Sequence, residues 1–349
     1  MTLKETLEKI KPANQEIMEK TLIQWHSIAM PLNSLGRLQE VIVRISGMTE
    51  STRVGLKKKG LIVMCADNGV VEEGVTQSGQ EVTKIVAENF LQEKATASIL
   101  CKQAGADIFP VDIGIATDST IINHKVAYGT KNMTKEPAMT RQEVIQALEV
   151  GINMVEKLKK EGYGILATGE MGIGNTTTSS AITAVLLEED PSKVTGRGAG
   201  LSSVGLERKI AVIQKAIALH KPDKKDVIDV LAKVGGLDIA GLCGVFLGGA
   251  AMQVPIVADG FISCVAALCA IRLCPDVQDY IITSHKSKEP ATTLVLEALG
   301  IPVFLDCDMC LGEGTGAVSI FPLIEMALAV YDGMCTFADN QMDNYIPLS

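Results

Sequence analysis

GILATGEMGIGNTTTSSAI, residues 164–182, decides the fold. It begins with a short apolar run, 164–168, of the length expected for a strand buried on both faces. Gly169, Gly172 and Gly174 then permit tight backbone, and the hydroxyl-rich stretch from Asn175 onward opens a helix. Strand, glycine turn and helix in that order form the repeating unit of a parallel sheet. The exposed N–H groups at such a helix start can hold a phosphate, and Thr176, Thr177 and Thr178 add hydroxyl donors. The spacing Gly169-x4-Gly174-Asn175-Thr176 imitates a nucleotide P-loop, yet Asn175 stands where that motif needs lysine. A β,γ-phosphate cradle is therefore disfavoured and a single phosphate monoester fits better. A glycine-rich turn without a ligand fits the same letters.

Further apolar runs lie on either side, at 61–66, 107–113, 254–258, 280–283 and 302–305, separated by helix-like stretches. The expected architecture is α/β, a doubly wound parallel sheet with helices on both faces. The six runs are followed by Asp67, Asp112, Glu170, Asp259, Ser284–His285 and Asp306. Ligands of open α/β sheets bind beyond the carboxyl ends of the strands, so these polar ends point to one edge as the site. The first ~30 residues read as helical, with Thr2 and Glu5 spaced as a capping box. Pro12 breaks the pattern, a second amphipathic run passes through Ile17, Met18, Leu22 and Trp25, and PLNSLGRL at 31–38 supplies a turn.

Of 349 residues, 47% are hydrophobic and 21% charged, which supports a large core and argues against disorder. At roughly 100–200 residues per domain the length suggests about two domains. The net charge of −9 argues against a nucleic-acid partner, which would require a basic face. Nine cysteines lie scattered, mostly in apolar runs, and the polar N-terminus MTLKETLEKI has no apolar leader core. Both features point to a cytoplasmic protein. Residues 239–258 carry no formal charge and could span a membrane by length, but Gln253 and Pro255 interrupt them. A buried helix followed by a buried strand is the expected reading, with no membrane partner.

Three further segments carry candidate chemistry. TGRGAGL at 195–201, followed by Lys209, could supply the cation missing from the first glycine turn; Arg197 and Lys209 could equally be solvated. CADNGVVEEGV at 65–75 follows a strand, with Glu72 and Glu73 expected in solvent. LGEGTGA at 311–317 sets Glu313 between two glycines ahead of an apolar helix. A carboxylate there either approaches a ligand or merely complements the helix dipole. Cys307 and Cys310 form a CxxC pair without a second pair, and are expected to be structural thiols. Neither a metal nor a cofactor is expected, because Asp306 and Asp308 have no completing ligands and the four histidines are dispersed.

Taken together, the chain resembles the nicotinate-nucleotide–dimethylbenzimidazole phosphoribosyltransferase family over nearly its whole length. The carriers are SLGRL at Ser34, CADNGV–EEGV at Cys65, GEMGIGNTT at Gly169, GRGAGL at Gly196, KVGGLDIAGLCGVFLGGA at Lys233, ADGFIS at Ala258, SHKSKE at Ser284 and LGEGTGA at Leu311. The resemblance implies a Rossmann-like core over 56–324 and a smaller helical domain built from 1–55 and 325–349. It also implies a homodimer, with a heterodimer of paralogues as the alternative. It carries the general-base role onto Glu313, with Glu170 as the next candidate for catalysis, and places Glu170 and Asp259 in the mononucleotide site. The substrate phosphate falls to Gly172, Gly174, Asn175 and Thr176, with Lys209 as counter-charge and Ser287 among the substrate contacts. Ser78 matches a serine at the edge of the base. Two positions depart from the family pattern: Asn68 replaces a histidine, and Val86 replaces a glutamine that hydrogen-bonds the base.

The implied substrates are nicotinate mononucleotide and an aromatic base, either a benzimidazole or a phenol. The pyridinium of the nucleotide becomes neutral as it leaves, so neither a general acid nor Mg²⁺ is required, in keeping with the missing P-loop lysine. Two other readings remain: a scaffold subunit of a hetero-oligomeric transferase, and a non-catalytic nucleotide-binding protein. A carboxylate at 313 distinguishes a catalyst from a binder.

Overall fold

The computed structural model describes residues 1–56 and 58–346. Six strands form one sheet: β1 Lys59–Ala66, β2 Ala106–Gly114, β3 Ile122–Asn123, β4 Ile165–Met171, β5 Ile256–Ala258 and β6 Ile281–Thr283. Their order is β3-β2-β1-β4-β5-β6 and every pairing is parallel. The chain builds outward from β1 in one direction, then crosses back and builds in the other. Connections leave β1 and β4 on opposite sides, which opens a crevice at their carboxyl ends. In register, Met64 of β1 lies beside Glu170 of β4.

β1 is buried along its whole length, as continuous apolar composition requires when helices cover both faces. Helix Leu237–Met252 packs beneath the sheet, and helix Arg141–Lys160 packs closely on it. Small residues allow this approach: a Cβ at Gly151 would collide with the Gly241 carbonyl, and one at Gly244 with the Leu148 carbonyl. The uncharged stretch 239–258 is thus a buried helix and the strand β5. One helical stretch, Thr315–Gly333, has the length and composition to cross a membrane. It is divided at Ile320 and its Ile324 and Ala327 are buried in the protein.

The N-terminal helix Leu3–Lys9 carries the capping box of Thr2 and Glu5. Helix Gln15–Ser27 follows, capped by Asn14, and then helix Arg37–Met48. Both chain ends meet. Trp25 lies 5.0 Å from the Tyr331 ring, Tyr331 donates to Gln24 Oε1 at 2.7 Å, and the Phe337 N–H donates to the Ser27 carbonyl at 2.9 Å. Arg44 binds the Ile281 carbonyl at 2.8 Å and ties these helices to the β6 edge.

Two expectations need correction. The run 302–305 is not a strand; only Leu305 forms an isolated bridge, to His285, because Pro302 lacks an N–H and the segment runs past the end of β6. Asp306 is accordingly an exposed loop residue. The sheet's remaining edge is β3, two residues long, which no apolar run announced. β4 also continues to Met171, so Glu170 belongs to the strand itself.

Candidate active site

A cavity of about 370 Å³ opens at the carboxyl ends of β1, β4 and β5. The glycine turn 172–174 delivers the first residues of helix Asn175–Leu187 into it. Gly174 has φ 96°, where glycine is favoured, and a Cβ at Gly172 would lie 2.6 Å from Asp238 Oδ2. Lys209, from helix Ser203–His220, is only 1% exposed; its Nζ donates to Thr176 Oγ1 at 2.8 Å and to the Gly196 carbonyl at 3.1 Å. Burial pulls this amine down to about 8, against the charge of Glu289, which holds it up. A helix start, a hydroxyl and a buried cation thus converge on one wall, as a phosphate monoester requires.

A second part of the lining is acidic. Gly312, Glu313 and Gly314 have φ values of 87°, 61° and 85°, three successive left-handed residues. Glycine adopts this backbone freely, whereas glutamate is strained in it, and such strain persists only where surroundings enforce it. Asp259, beyond β5, does so. Its Oδ1 accepts the Gly316 and Ala317 N–H groups at 2.8 and 3.1 Å, and its Oδ2 accepts the Gly314 N–H at 3.1 Å. Glu313 Oε2 accepts the Ala97 N–H at 3.4 Å. Burial pushes the Glu313 carboxyl above its ordinary range; the Ala97 N–H works against this and the Asp259 charge adds to it. Glu170 receives Asn175 Nδ2 on Oε2, and its Oε1 faces Gly312 so closely that no Cβ could fit there. Burial, then the charges of Asp238 and Asp259, raise Glu170 far above the usual carboxylate range.

The third wall is apolar. Val82 and Val86 of helix Glu81–Leu91 line it, with Ser78 in the preceding loop and Ile173 of the glycine turn, whose N–H donates to Thr83 Oγ1 of that helix at 3.1 Å.

Residues 10–342 match the family model described as Phosphoribosyltransferase. A nicotinate-nucleotide–dimethylbenzimidazole phosphoribosyltransferase of Clostridium tetani is 48% identical over 97% of this chain and 94% of its own. The enzyme of the same name from Ruminiclostridium cellulolyticum is 46% identical over the full length of both. The crystal structure of CobT from Thermus thermophilus superposes with a TM-score of 0.89 at 35% identity, covering 95% of this chain and all of that one.

The chain belongs to the nicotinate-nucleotide–dimethylbenzimidazole phosphoribosyltransferase family. It is a pentosyltransferase by class and shares the α/β fold of that family's solved member.

In this phosphoribosyltransferase the residues assigned from the sequence to catalysis and substrate binding line one cavity: Glu313, Glu170, Gly172, Gly174, Asn175, Thr176, Lys209, Asp259, Ser287, Ser78 and Val86. Thr177 and Thr178, read as further hydroxyl donors to a phosphate, are instead buried in the helix, where Thr178 Oγ1 donates to the Asn175 carbonyl at 3.0 Å. Arg197 lines it as well, but its guanidinium is spent on the Leu201 carbonyl and Ser203 Oγ. Asp112 is equally committed, to Ser119, the Ile115 N–H and Lys125 at 3.1 Å. Cys307 and Cys310, expected as structural thiols, are instead exposed, and Cys310 lines the cavity, because their loop lies outside the sheet. Asn68 does not line the cavity; it is buried beneath the glycine turn beside Gly236. Sequence reasoning missed Glu289, whose Oε2 is buried without a partner among the described residues, and Asp238. The signal for Asp238 was present: it is the single acid in the apolar stretch 234–258.

Proposed function

We propose that this cavity transfers the phosphoribosyl group of nicotinate mononucleotide to an aromatic base, giving nicotinate and the α-nucleotide of a cobamide lower ligand. One observation carries the reading: a strained, partly buried carboxylate, Glu313, lines the same cavity as a buried lysine, Lys209, whose Nζ reaches Thr176 at a helix start. The nucleotide phosphate takes the wall of Gly172, Gly174, Asn175, Thr176 and Lys209, with Ser287 beside it. The base lies against Val86 and Ser78, and Glu313 removes its N–H or O–H proton as the ring nitrogen of a benzimidazole, or the oxygen of a phenol, attacks the anomeric carbon. Attack opposite the departing nicotinate inverts that carbon. Burial makes Glu313 a stronger base than a solvated carboxylate. Glu170 and Asp259 belong to the mononucleotide side, Asp259 chiefly by holding the Glu313 loop. A cytoplasmic homodimer, with the two chain ends forming a small helical domain beside the core, completes the reading.

Incubation of the purified protein with nicotinate mononucleotide and a panel of bases, with products identified by mass, tests it directly. Nicotinate release coupled to a base nucleotide is expected. Failure of every benzimidazole and phenol to yield one would overturn the assignment.

A further inference from the structure

Below the glycine turn lies a carboxyl that the reaction does not touch. Asp238 is the second residue of helix Leu237–Met252 and is fully buried. Its Oδ1 accepts the Ile239 N–H at 3.0 Å, and its Oδ2 points at Gly172, where a Cβ would lie 2.6 Å away. The side-chain amides of Asn175 and Asn68 lie beside it and favour its charged form, though neither closes a full hydrogen bond to Oδ2 among the described residues. Asn175 at the same time donates to Glu170 Oε2. One amide is therefore shared between two buried acids, of which only Glu170 reaches the cavity.

The two acids differ in what stabilises a negative charge. Asp238 sits at the N-terminal turn of a 16-residue helix and receives a backbone N–H, two features that favour an anion. Glu170 projects from a strand and has the Asn175 amide alone. Two like charges this close cannot both form easily, so the pair loses its protons in two steps and the first leaves from the better-stabilised site.

We propose that Asp238 is a positioning residue that carries the single negative charge of this buried pair and, added to the burial of Glu170, keeps its cavity-facing Oε1 protonated. Glu170 then presents an O–H donor to the bound nucleotide in place of a second carboxylate beside Glu313. The directions of titration agree: burial lifts Asp238 to about 7, partly offset by its hydrogen-bond donors, while Glu170 lies far higher. Asp259 and Glu313 act on Glu170 with like charge, the Cys65 thiol of β1 faces both acids, and His285 stands 3.8 Å from Asp259 on its far side.

This inference rests on the proposed function only for its kinetic readout. Infrared spectra of the ligand-free protein give the other. At about pH 9, well above the point to which burial lifts Asp238, a protonated-carboxyl band is expected that disappears in Glu170→Gln; its absence from the natural protein would overturn the proposal without touching the transferase assignment. The second measurement is the pH profile of kcat at saturating nucleotide for the natural chain and Asp238→Asn. Saturation separates it from effects of Lys209 on free-enzyme binding. Loss of the Asp238 charge should bring the alkaline limb of kcat down by about one pH unit or more, with the protonated-carboxyl band lost at correspondingly lower pH. A merely structural role would lower kcat equally at every pH and leave the limb in place, and that outcome would refute the idea. If Asp238→Asn does not fold, Asn68→Ala takes its place: removing an amide that favours the Asp238 charge should move loss of the Glu170 protonated-carboxyl band to lower pH, and an unmoved band refutes the idea.

Discussion

Glu313 combines a strained backbone, a half-buried carboxyl and a place on the cavity wall. Glutamine keeps its shape but cannot take a proton. Glu313→Gln should fold normally, bind nicotinate mononucleotide with an unchanged KM, and lose about 10²–10⁴-fold in kcat; a near-normal rate would move the base to another group. Lys209 bears on binding. A phosphate anion favours the protonated amine, which in the free protein titrates at about 8. The KM for the nucleotide should therefore be flat below that pH and rise above it, because the amine loses the charge that attracts the ligand. Lys209→Ala should raise this KM roughly 10- to 100-fold, the equivalent of a charge-assisted bond of about 1.5–3 kcal/mol, and abolish the rise. The KM for the base should not change. Val86 concerns the acceptor: an apolar wall leaves no buried donor or acceptor unpaired by a phenol. In competition between dimethylbenzimidazole and p-cresol, Val86→Gln should shift the product ratio toward the benzimidazole. An unaltered ratio removes Val86 from base selection.

At the level of elements, the site is made where strands end and helices begin. Asp259 follows β5 yet acts on the segment 314–317, where one carboxylate accepts three backbone N–H groups. Asparagine offers one acceptor oxygen in place of two. Asp259→Asn should loosen the left-handed loop and cost about 10- to 100-fold in kcat, since each charge-assisted bond is worth about 1.5–3 kcal/mol. Circular dichroism should show an unchanged fold, and a retained kcat would mean that the Glu313 loop holds itself. These element-level relations were partly legible beforehand. The glycine turn, its helix and the carboxylate between glycines are local patterns, and local patterns survive folding. β3 was not legible, because two residues give no periodicity. The false strand at 302–305 had the right letters, but Pro302 lacks an N–H and the segment reaches the sheet only past the end of β6.

Over the whole molecule, the chain ends close on each other. Phe337 is buried and its N–H reaches the Ser27 carbonyl, so a residue near the C-terminus holds the N-terminal helices in place. Phe337→Ala should cost about 3–5 kcal/mol in urea unfolding, the usual range for a buried phenylalanine, while kcat at low temperature stays unchanged. Loss of activity in proportion to stability would show that the terminal helices shape the cavity directly.

The sequence alone determined the parallel α/β sheet, the strand–turn–helix of the glycine segment and the types of residue at the cavity. These depend on composition and spacing within a few residues: apolar runs too short for helices, glycines where the backbone must turn, and acids where strands end. Tertiary structure alone decided which polar strand ends are consumed. Asp112 is spent on its own loop, Asp259 on the backbone of a distant one, and Asp238 is set under a turn some 65 positions earlier in the chain. A carboxylate looks the same in a sequence whether water, a lysine or three N–H groups face it. Its charge depends on that surrounding, and only packing brings the surrounding together.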